Sequence, residues 1–169
     1  NDLVTGSDGS LTVALKLTNT RTNVLRYDST GALQWETAIP ACFLLCTASL
    51  GVNANGDTLV NNSEAFATKS YLLDSTGTQL WNKSKSTGLA TTGIVPNAIT
   101  LTATGFVSIH PFVTWEYDLA GNQTWSQSLG AYANVALDAS GNLFIPPGTT
   151  ISKFAAVGTT LLSEIALSG

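Results

Sequence analysis

The stretch from Tyr27 to Trp35, YDSTGALQW, recurs twice along the chain without gaps, as LDSTGTQLW from Leu73 and YDLAGNQTW from Tyr117. The three copies share the pattern Asp-x-x-Gly-x-x-x-Trp, formed by Asp28, Gly31 and Trp35, by Asp74, Gly77 and Trp81, and by Asp118, Gly121 and Trp125. A fourth, degenerate copy is FAAVGTTLL, in which a gapless alignment places Leu162 at the Trp position. Recurrence at roughly 40 residues is typical of repeat proteins.

A second glycine motif alternates with the first one. It comprises SDGSLTV around Gly9, NANGDTLV around Gly56, TATGFVSI around Gly105 and DASGNLFI around Gly141. Asp or Asn before glycine favours a tight turn, and the flanking β-branched and aromatic residues favour strands. Two hairpins per repeat predict a four-stranded antiparallel unit. We expect one domain over residues 1–169, divided into units at about 1–40, 41–85, 86–128 and 129–169.

Four-stranded units of this length predict the blades of a β-propeller. Trp35 shares one face of its strand with Leu33 and Thr37, and stacking a second blade on that face buries about 150–250 Å² of the ring. We therefore expect an all-β chain of four tandem blades, either a closed four-bladed ring or part of a larger or oligomeric one. The repeated Trp packs between blades, and the repeated Asp holds the hairpin turn. The first and last units each contain their own four strands, which favours closure by another copy or an open edge.

The repeats resemble the bacterial propeller repeats of the quinoprotein-like (PQQ-like) and SBBP type, through the string Tyr/Leu-Asp-Ser-Thr-Gly-x-x-x-Trp. The resemblance extends over the whole chain as a repeat pattern. For the quinoprotein dehydrogenases it implies a pyrroloquinoline quinone with calcium. The sequence departs from them, because it has four repeats, no vicinal cysteines and no obvious cluster of carboxylates. We therefore expect no cofactor and no enzymatic activity.

The two cysteines, Cys42 and Cys46, are the only ones in the chain. Residues four apart on a regular strand are separated by about 13 Å, whereas a disulfide needs Cα atoms within about 7 Å. A local disulfide therefore requires a bulge or a turn, and two buried thiols are the alternative. Two cysteines without a nearby histidine form an incomplete zinc site.

Few other residues carry candidate chemistry. His110, the sole histidine, is either a loop residue at a strand end or a general base that needs a nucleophile and a carboxylate nearby. Trp115 and Tyr132 are ligand-face aromatics for stacking on a sugar, although packing is the alternative for Trp115. Glycosylation sequons begin at three asparagines, Asn61, Asn82 and Asn122. Oxygen side chains alternate like part of a calcium loop, without its bidentate Glu, in the segment from Asn53 to Asp57.

Composition restricts the function classes. Seven Lys and Arg against 11 Asp and Glu give a net charge of −4. Proteins gain affinity for nucleic acid when basic side chains displace counterions from the phosphates, and this chain has few basic side chains for that role. No run approaches the roughly 18–20 apolar residues of a membrane span. Low charge and abundant Thr, Ser and Asn favour an exported, cell-surface setting. We predict a non-enzymatic scaffold that associates with itself or another surface protein. The alternatives are a monomeric glycan- or protein-binding module and, third, a fragment of a quinone-dependent dehydrogenase.

Overall fold

The computed structural model describes residues 2–18, 21–40, 47–63, 67–86, 98–101, 105–109, 114–127, 136–138, 142–145, 150–155 and 160–166. These ranges contain sixteen β-strands and no helix. The expectation of an all-β chain is therefore confirmed. No helix with the length and hydropathy of a membrane span occurs in these ranges.

The strands form four antiparallel sheets, each built from four consecutive strands. Sheet 1 contains β1 (Asp2–Thr5), β2 (Leu11–Thr18), β3 (Arg21–Tyr27) and β4 (Leu33–Pro40). Sheet 2 contains β5 (Thr47–Val52), β6 (Thr58–Ser63), β7 (Ala67–Leu73) and β8 (Gln79–Ser86). Sheet 3 contains β9 (Ala98–Leu101), β10 (Gly105–Ile109), β11 (Thr114–Asp118) and β12 (Gln123–Gln127). Sheet 4 contains β13 (Ala136–Leu137), β14 (Leu143–Ile145), β15 (Thr150–Phe154) and β16 (Leu161–Ala166).

The chain divides into two compact units, Asn1–Val95 and Pro96–Gly169. The first unit contains sheets 1 and 2, and the second contains sheets 3 and 4. The single domain over residues 1–169 and the boundaries of its four repeats stay predictions.

The repeated Asp-x-x-Gly segment forms the turn between the third and fourth strands of a sheet. In sheet 1 the N–H of Asp28 donates to the carbonyl of Ala32 at 2.9 Å, and the N–H of Gly31 donates to the carbonyl of Asp28 at 3.0 Å. Gly31 has a φ of 86°, which residues with a Cβ adopt at a cost. The turn therefore needs glycine at this position.

Sheets 1 and 2 stack through a shared hydrophobic core. Its buried members are Ala14, Val24, Ile39, Leu50, Val60, Tyr71 and Leu73. We call the side of a sheet that carries the repeated Trp position its Trp face, and the opposite side its seat face. Strand pairing places Val24, opposite Thr37, on the Trp face of sheet 1. Tyr71 and Leu73 lie on the seat face of sheet 2, so the Trp face of sheet 1 packs on the seat face of sheet 2.

The second unit packs in the same order. Trp125, on the Trp face of sheet 3, lies with its ring centroid 6.1 Å from that of Phe154. Phe154 occupies the seat face of sheet 4, at the position that corresponds to Tyr27 in sheet 1. Within sheet 3, Phe106 is fully buried and stacks on Tyr117 at 5.3 Å.

The structure corrects the alignment of the fourth repeat. Trp35 pairs with Arg26, and the residue that pairs at the corresponding place in sheet 4, with Lys153, is Ser163. Assigning Leu162 to the Trp position was therefore wrong. The turn is one residue longer than in sheet 1, because the N–H of Ala155 donates to the carbonyl of Thr160. The added residue shifts the last strand by one position.

Candidate functional site

The repeated Trp and Gly meet where sheet 1 contacts the β7–β8 turn of sheet 2. The indole N–H of Trp35 donates to the carbonyl of Ser75 at 2.9 Å, and the Thr37 hydroxyl donates to the carbonyl of Gly77 at 2.6 Å. A Cβ added to Gly77 would lie 2.7 Å from Cδ2 of Trp35. We call this site, built by Ser75 and Gly77, the Trp seat. It couples the two most distinctive residues of the repeat across neighbouring sheets.

The turn aspartates are occupied by hydrogen bonds within their own turns. Hydrogen bonds, first from the Thr30 hydroxyl and then from the Ala32 N–H, hold the pKa of Asp28 below its ordinary value. In sheet 2 the Thr76 hydroxyl is the first cause of the lowered pKa of Asp74. In sheet 3 the side-chain amide of Asn122 lowers the pKa of Asp118. These contacts use the carboxylates to fix the hairpins.

Arg26 joins sheet 1 to sheet 2 by one hydrogen bond and pairs with Asp8 of its own sheet. Its Nη1 donates to the carbonyl of Gly56 at 2.8 Å, and its Nη2 lies 3.0 Å from Oδ2 of Asp8. The Arg26 side chain is only 8% exposed, so the two contacts replace water around a buried guanidinium. The Ser10 hydroxyl and N–H, followed by Arg26, lower the pKa of Asp8 to about 2.

The lowered pKa of Asp8 predicts acid sensitivity. A carboxyl whose folded pKa lies below its unfolded value stabilises the fold above the unfolded pKa, and that contribution is lost as the pH falls through the folded pKa. For Asp8 this window runs from the ordinary value of 3.8 down to about 2. We expect Asp8→Asn to flatten the fall of unfolding free energy in this window, measured by urea unfolding at successive pH values. Ser10→Ala removes the first donor and raises the folded pKa of Asp8, so the fall should become smaller and end at a higher pH. Parallel curves for Asp8→Asn and wild type would contradict the assignment.

A cleft of about 560 Å³ opens beside these contacts, within the first unit. It is lined by Asp8, Ser10, Arg26, Asp28, Ser29, Gln34, Trp35, Asn55, Ser75 and Thr76. Trp35 supplies an aromatic ring, and the other lining side chains supply hydroxyl, amide, carboxylate and guanidinium groups. This combination suits a small polar ligand with hydroxyl groups. Nothing in the sequence pattern marked the cleft, because its residues come from four separate turns and their adjoining strands.

Of the candidate aromatics, cysteines and histidine proposed from the sequence, the structure describes Trp115. Trp115 is 6% exposed, which leaves too little ring for stacking on a ligand and favours its role in packing. Cys42, Cys46, His110 and Tyr132 lie outside the described residues.

The structure bears on two further interpretations of the sequence, the sequon at Asn61 and the partial calcium loop from Asn53 to Asp57. Asn61 is fully buried and accepts a hydrogen bond from the Ser70 hydroxyl, so the sequon at Asn61 is not an acceptor in the folded protein. Asn53 accepts from the N–H groups of Asn55 and Asp57, so its oxygen serves the turn.

The residues that the structure describes do not fit a quinone–calcium centre. Among the described residues, His, Cys, Asp and Glu form no group of three or more that is able to hold a metal ion. The aspartates are spread over separate turns, where backbone and hydroxyl groups already bind their oxygens.

Similar solved structures identify the architecture. A protein of unknown function from Bacteroides caccae matches 97% of this chain and 59% of its own, at 13% identity and a TM-score of 0.65. BamB from Moraxella catarrhalis matches over 96% of this chain and 60% of its own, at 14% identity and a TM-score of 0.51. BBS1N in complex with ARL6DN matches over 98% and 53%, at 12% identity and a TM-score of 0.59.

BamB and BBS1N are propeller domains. The chain has a β-propeller-like fold. It spans less than two thirds of the length of each of these structures. No protein-family model matches the sequence, and no curated protein matches it either. The resemblance to quinoprotein-like and SBBP repeats therefore stays a prediction.

Proposed function

We propose that the chain is a non-enzymatic β-propeller scaffold that is exported, acts at the cell surface and associates with further copies of itself. The observation that carries the proposal is the exposure of large aliphatic side chains at the first and last sheets. Leu3 is 64% exposed and Leu17 56% in sheet 1, and Leu162 is 49% exposed and Ile165 54% in β16. Apolar side chains gathered on exposed strands favour association.

The last strand supports the proposal by contrast with β8. Every residue of β16, LLSEIA, is exposed, and the strand lies at the edge of sheet 4. The edge strand β8 carries Lys83 and Lys85, the kind of charge that discourages pairing with another chain. β16 contains no lysine or arginine. Its one charged residue is Glu164, so β16 is the less protected edge and the better candidate for a contact.

The similar structures support a protein-interaction role in general terms. The BBS1N domain was solved in complex with ARL6DN, so this propeller binds another protein. Our chain corresponds to 53–60% of the length of the structures compared, which favours a share of a larger or oligomeric ring over a closed four-bladed ring. Four blades per chain remain part of the proposal.

The mass of the particle in solution tests self-association. We expect light scattering after size exclusion to give a multiple of the 17.6 kDa chain mass. A dimer would agree with one ring made by two chains, and a polymer with a fibre or lattice. A monomer at every concentration would contradict self-association.

The cleft between sheets 1 and 2 favours a second candidate function, a monomeric module that binds a glycan. Trp35 beside the carboxylate of Asp28 and the amide of Gln34 is a suitable chemistry for stacking on a sugar ring and binding its hydroxyls. Binding of defined oligosaccharides by calorimetry tests it, with Gln34→Ala as the variant because that side chain is exposed. Loss of binding in Gln34→Ala would support the glycan module.

A further inference from the structure

Both described stacks follow one rule. The Trp face of sheet 1 lies on the seat face of sheet 2, and the Trp face of sheet 3 contributes Trp125 to the seat face of sheet 4. The opposite faces of the first and last sheets, the seat face of sheet 1 and the Trp face of sheet 4, expose apolar side chains.

The seat face of sheet 1 combines apolar side chains on β1 and β2 with the polar residues Arg21, Asn23 and Glu36 on β3 and β4. Leu3 pairs with Val13, and Val13 pairs with Leu25, so these three side chains form a row across three strands. Leu3 is 64% exposed, and Leu15, two residues beyond Val13 on the same face, is 37% exposed. Tyr71 and Leu73 occupy the same face of sheet 2, where they are buried by sheet 1. The equivalent surface of sheet 1 is ready for the same kind of contact.

This face also contains a second copy of the Trp seat. Gly31 has a φ of 86°, against 83° for Gly77, and Ser29 stands where Ser75 stands in sheet 2. A Cβ added to Gly31 would meet nothing within 4 Å among the described residues, whereas a Cβ on Gly77 would overlap Trp35. The seat that receives Trp35 in sheet 2 is thus formed and open in sheet 1.

The Trp face of sheet 4 is the matching open surface. Ile165 pairs with Ile151 across β15 and β16, and Ile165 is 54% exposed. Ser163 stands at the Trp position between Leu161 and Ile165. The β16 part of this face is therefore apolar, Lys153 lies beside Ser163 on β15, and the face lacks a large ring like the one that fills the seat of sheet 2.

We infer that the seat face of sheet 1 in one copy docks the Trp face of sheet 4 in a second copy, which continues the stacking found inside the chain. The inference rests on the proposed self-association and names its two surfaces. The contact is head-to-tail, because it joins two different surfaces. Such contacts close into a ring or extend into a filament, according to the rotation between copies.

Charge substitutions on the two faces test the contact. We expect Leu15→Lys and Ile165→Lys each to weaken association at least tenfold by light scattering and sedimentation. Leu80→Lys is the matched control, because Leu80 is 53% exposed on β8, which belongs to neither face, and it should leave association unchanged. A mixture of the Leu15→Lys and Ile165→Lys proteins should form a heterodimer, because one intact face remains on each. Circular dichroism confirms that the variants fold.

A gain-of-function variant tests the seat itself. Ser163→Trp supplies the missing ring, and we expect it to tighten association at least tenfold. Adding Gly31→Asn should cancel this gain, because Asn tolerates the positive φ and places a side chain in the seat. If Ser163→Trp leaves association unchanged, the seat is not the docking element.

The outcomes separate the inference from the proposed function. A monomeric wild type overturns both. A wild type that assembles, and whose assembly is unaffected by Leu15→Lys or by Ile165→Lys, overturns the docking contact and leaves self-association standing. Failure of the two variants to rescue each other overturns the head-to-tail arrangement.

Discussion

Gly77→Val is expected to lower the free energy of unfolding by about 3–5 kcal/mol, and Gly31→Val by only about 1–2 kcal/mol. Both glycines have a positive φ, 83° and 86°, so valine strains the two turns to the same extent. Only Gly77 faces a filled Trp seat, where a Cβ would lie 2.7 Å from Cδ2 of Trp35 and 2.8 Å from the Thr37 hydroxyl. The excess loss at Gly77 therefore measures the packing between sheets 1 and 2.

Equilibrium urea unfolding of the two variants and the wild type provides the comparison. The Gly31→Val protein serves as the control for backbone strain, since its turn has the same hydrogen bonds. Near-ultraviolet circular dichroism follows the environment of Trp35 in the same samples. Equal losses for the two variants would show that the Trp seat contributes nothing beyond the turn.

Phe106→Ala is expected to lower the unfolding free energy of the second unit by about 3–5 kcal/mol. Phe106 is fully buried and stacks on Tyr117, which is itself 3% exposed. Burial also raises the pKa of Tyr117 to about 12, as expected of a phenol packed in an apolar environment. Removing the ring leaves a cavity beside Tyr117 that the strands of sheet 3 cannot fill without moving.

Phe144→Ala is the matched control for Phe106→Ala. Phe144 lies in the same unit but is only partly buried, with Lys153 Nζ 5.1 Å from its ring centroid. We expect it to cost less than half as much in urea unfolding, because part of its surface already contacts water. Similar losses of unfolding free energy for both variants would contradict the burial of Phe106 against Tyr117.

Local sequence signals were sufficient to predict the strands and turns. Asp28 and Gly31 define a turn through contacts within five residues, and strand alternation placed Trp35 on the face that packs. The position of Ser163 was missed because a one-residue lengthening of a turn leaves no mark in a degenerate repeat. The burial of Asn61 was missed because a sequon says nothing about the neighbours of its side chain.

The contacts between sheets could not be predicted from the sequence, for a different reason. Arg26 reaches Asp8, 18 residues away, and Gly56, 30 residues away. No local pattern links these positions, and the three come together only after two sheets have stacked. The cleft beside them has the same origin. The repeat predicted the four-stranded sheet, whereas the candidate site lies where sheets 1 and 2 meet within the first unit.

Arg26 affects which sheets stack on each other as the repeats fold. At the place that pairs with the Trp position, the other repeats carry Leu72, Glu116 and Lys153. Repeats with similar Trp seats are prone to stack on the wrong neighbouring sheet during folding. This kind of misassembly is characteristic of tandem-repeat proteins. Among the described repeats, Arg26 alone places a guanidinium at this position and bonds it to the neighbouring sheet, at the carbonyl of Gly56, whereas Lys153 pairs with Asp138 of its own sheet. This contact distinguishes one junction from the others, as a single buried polar residue fixes the alignment of coiled coils.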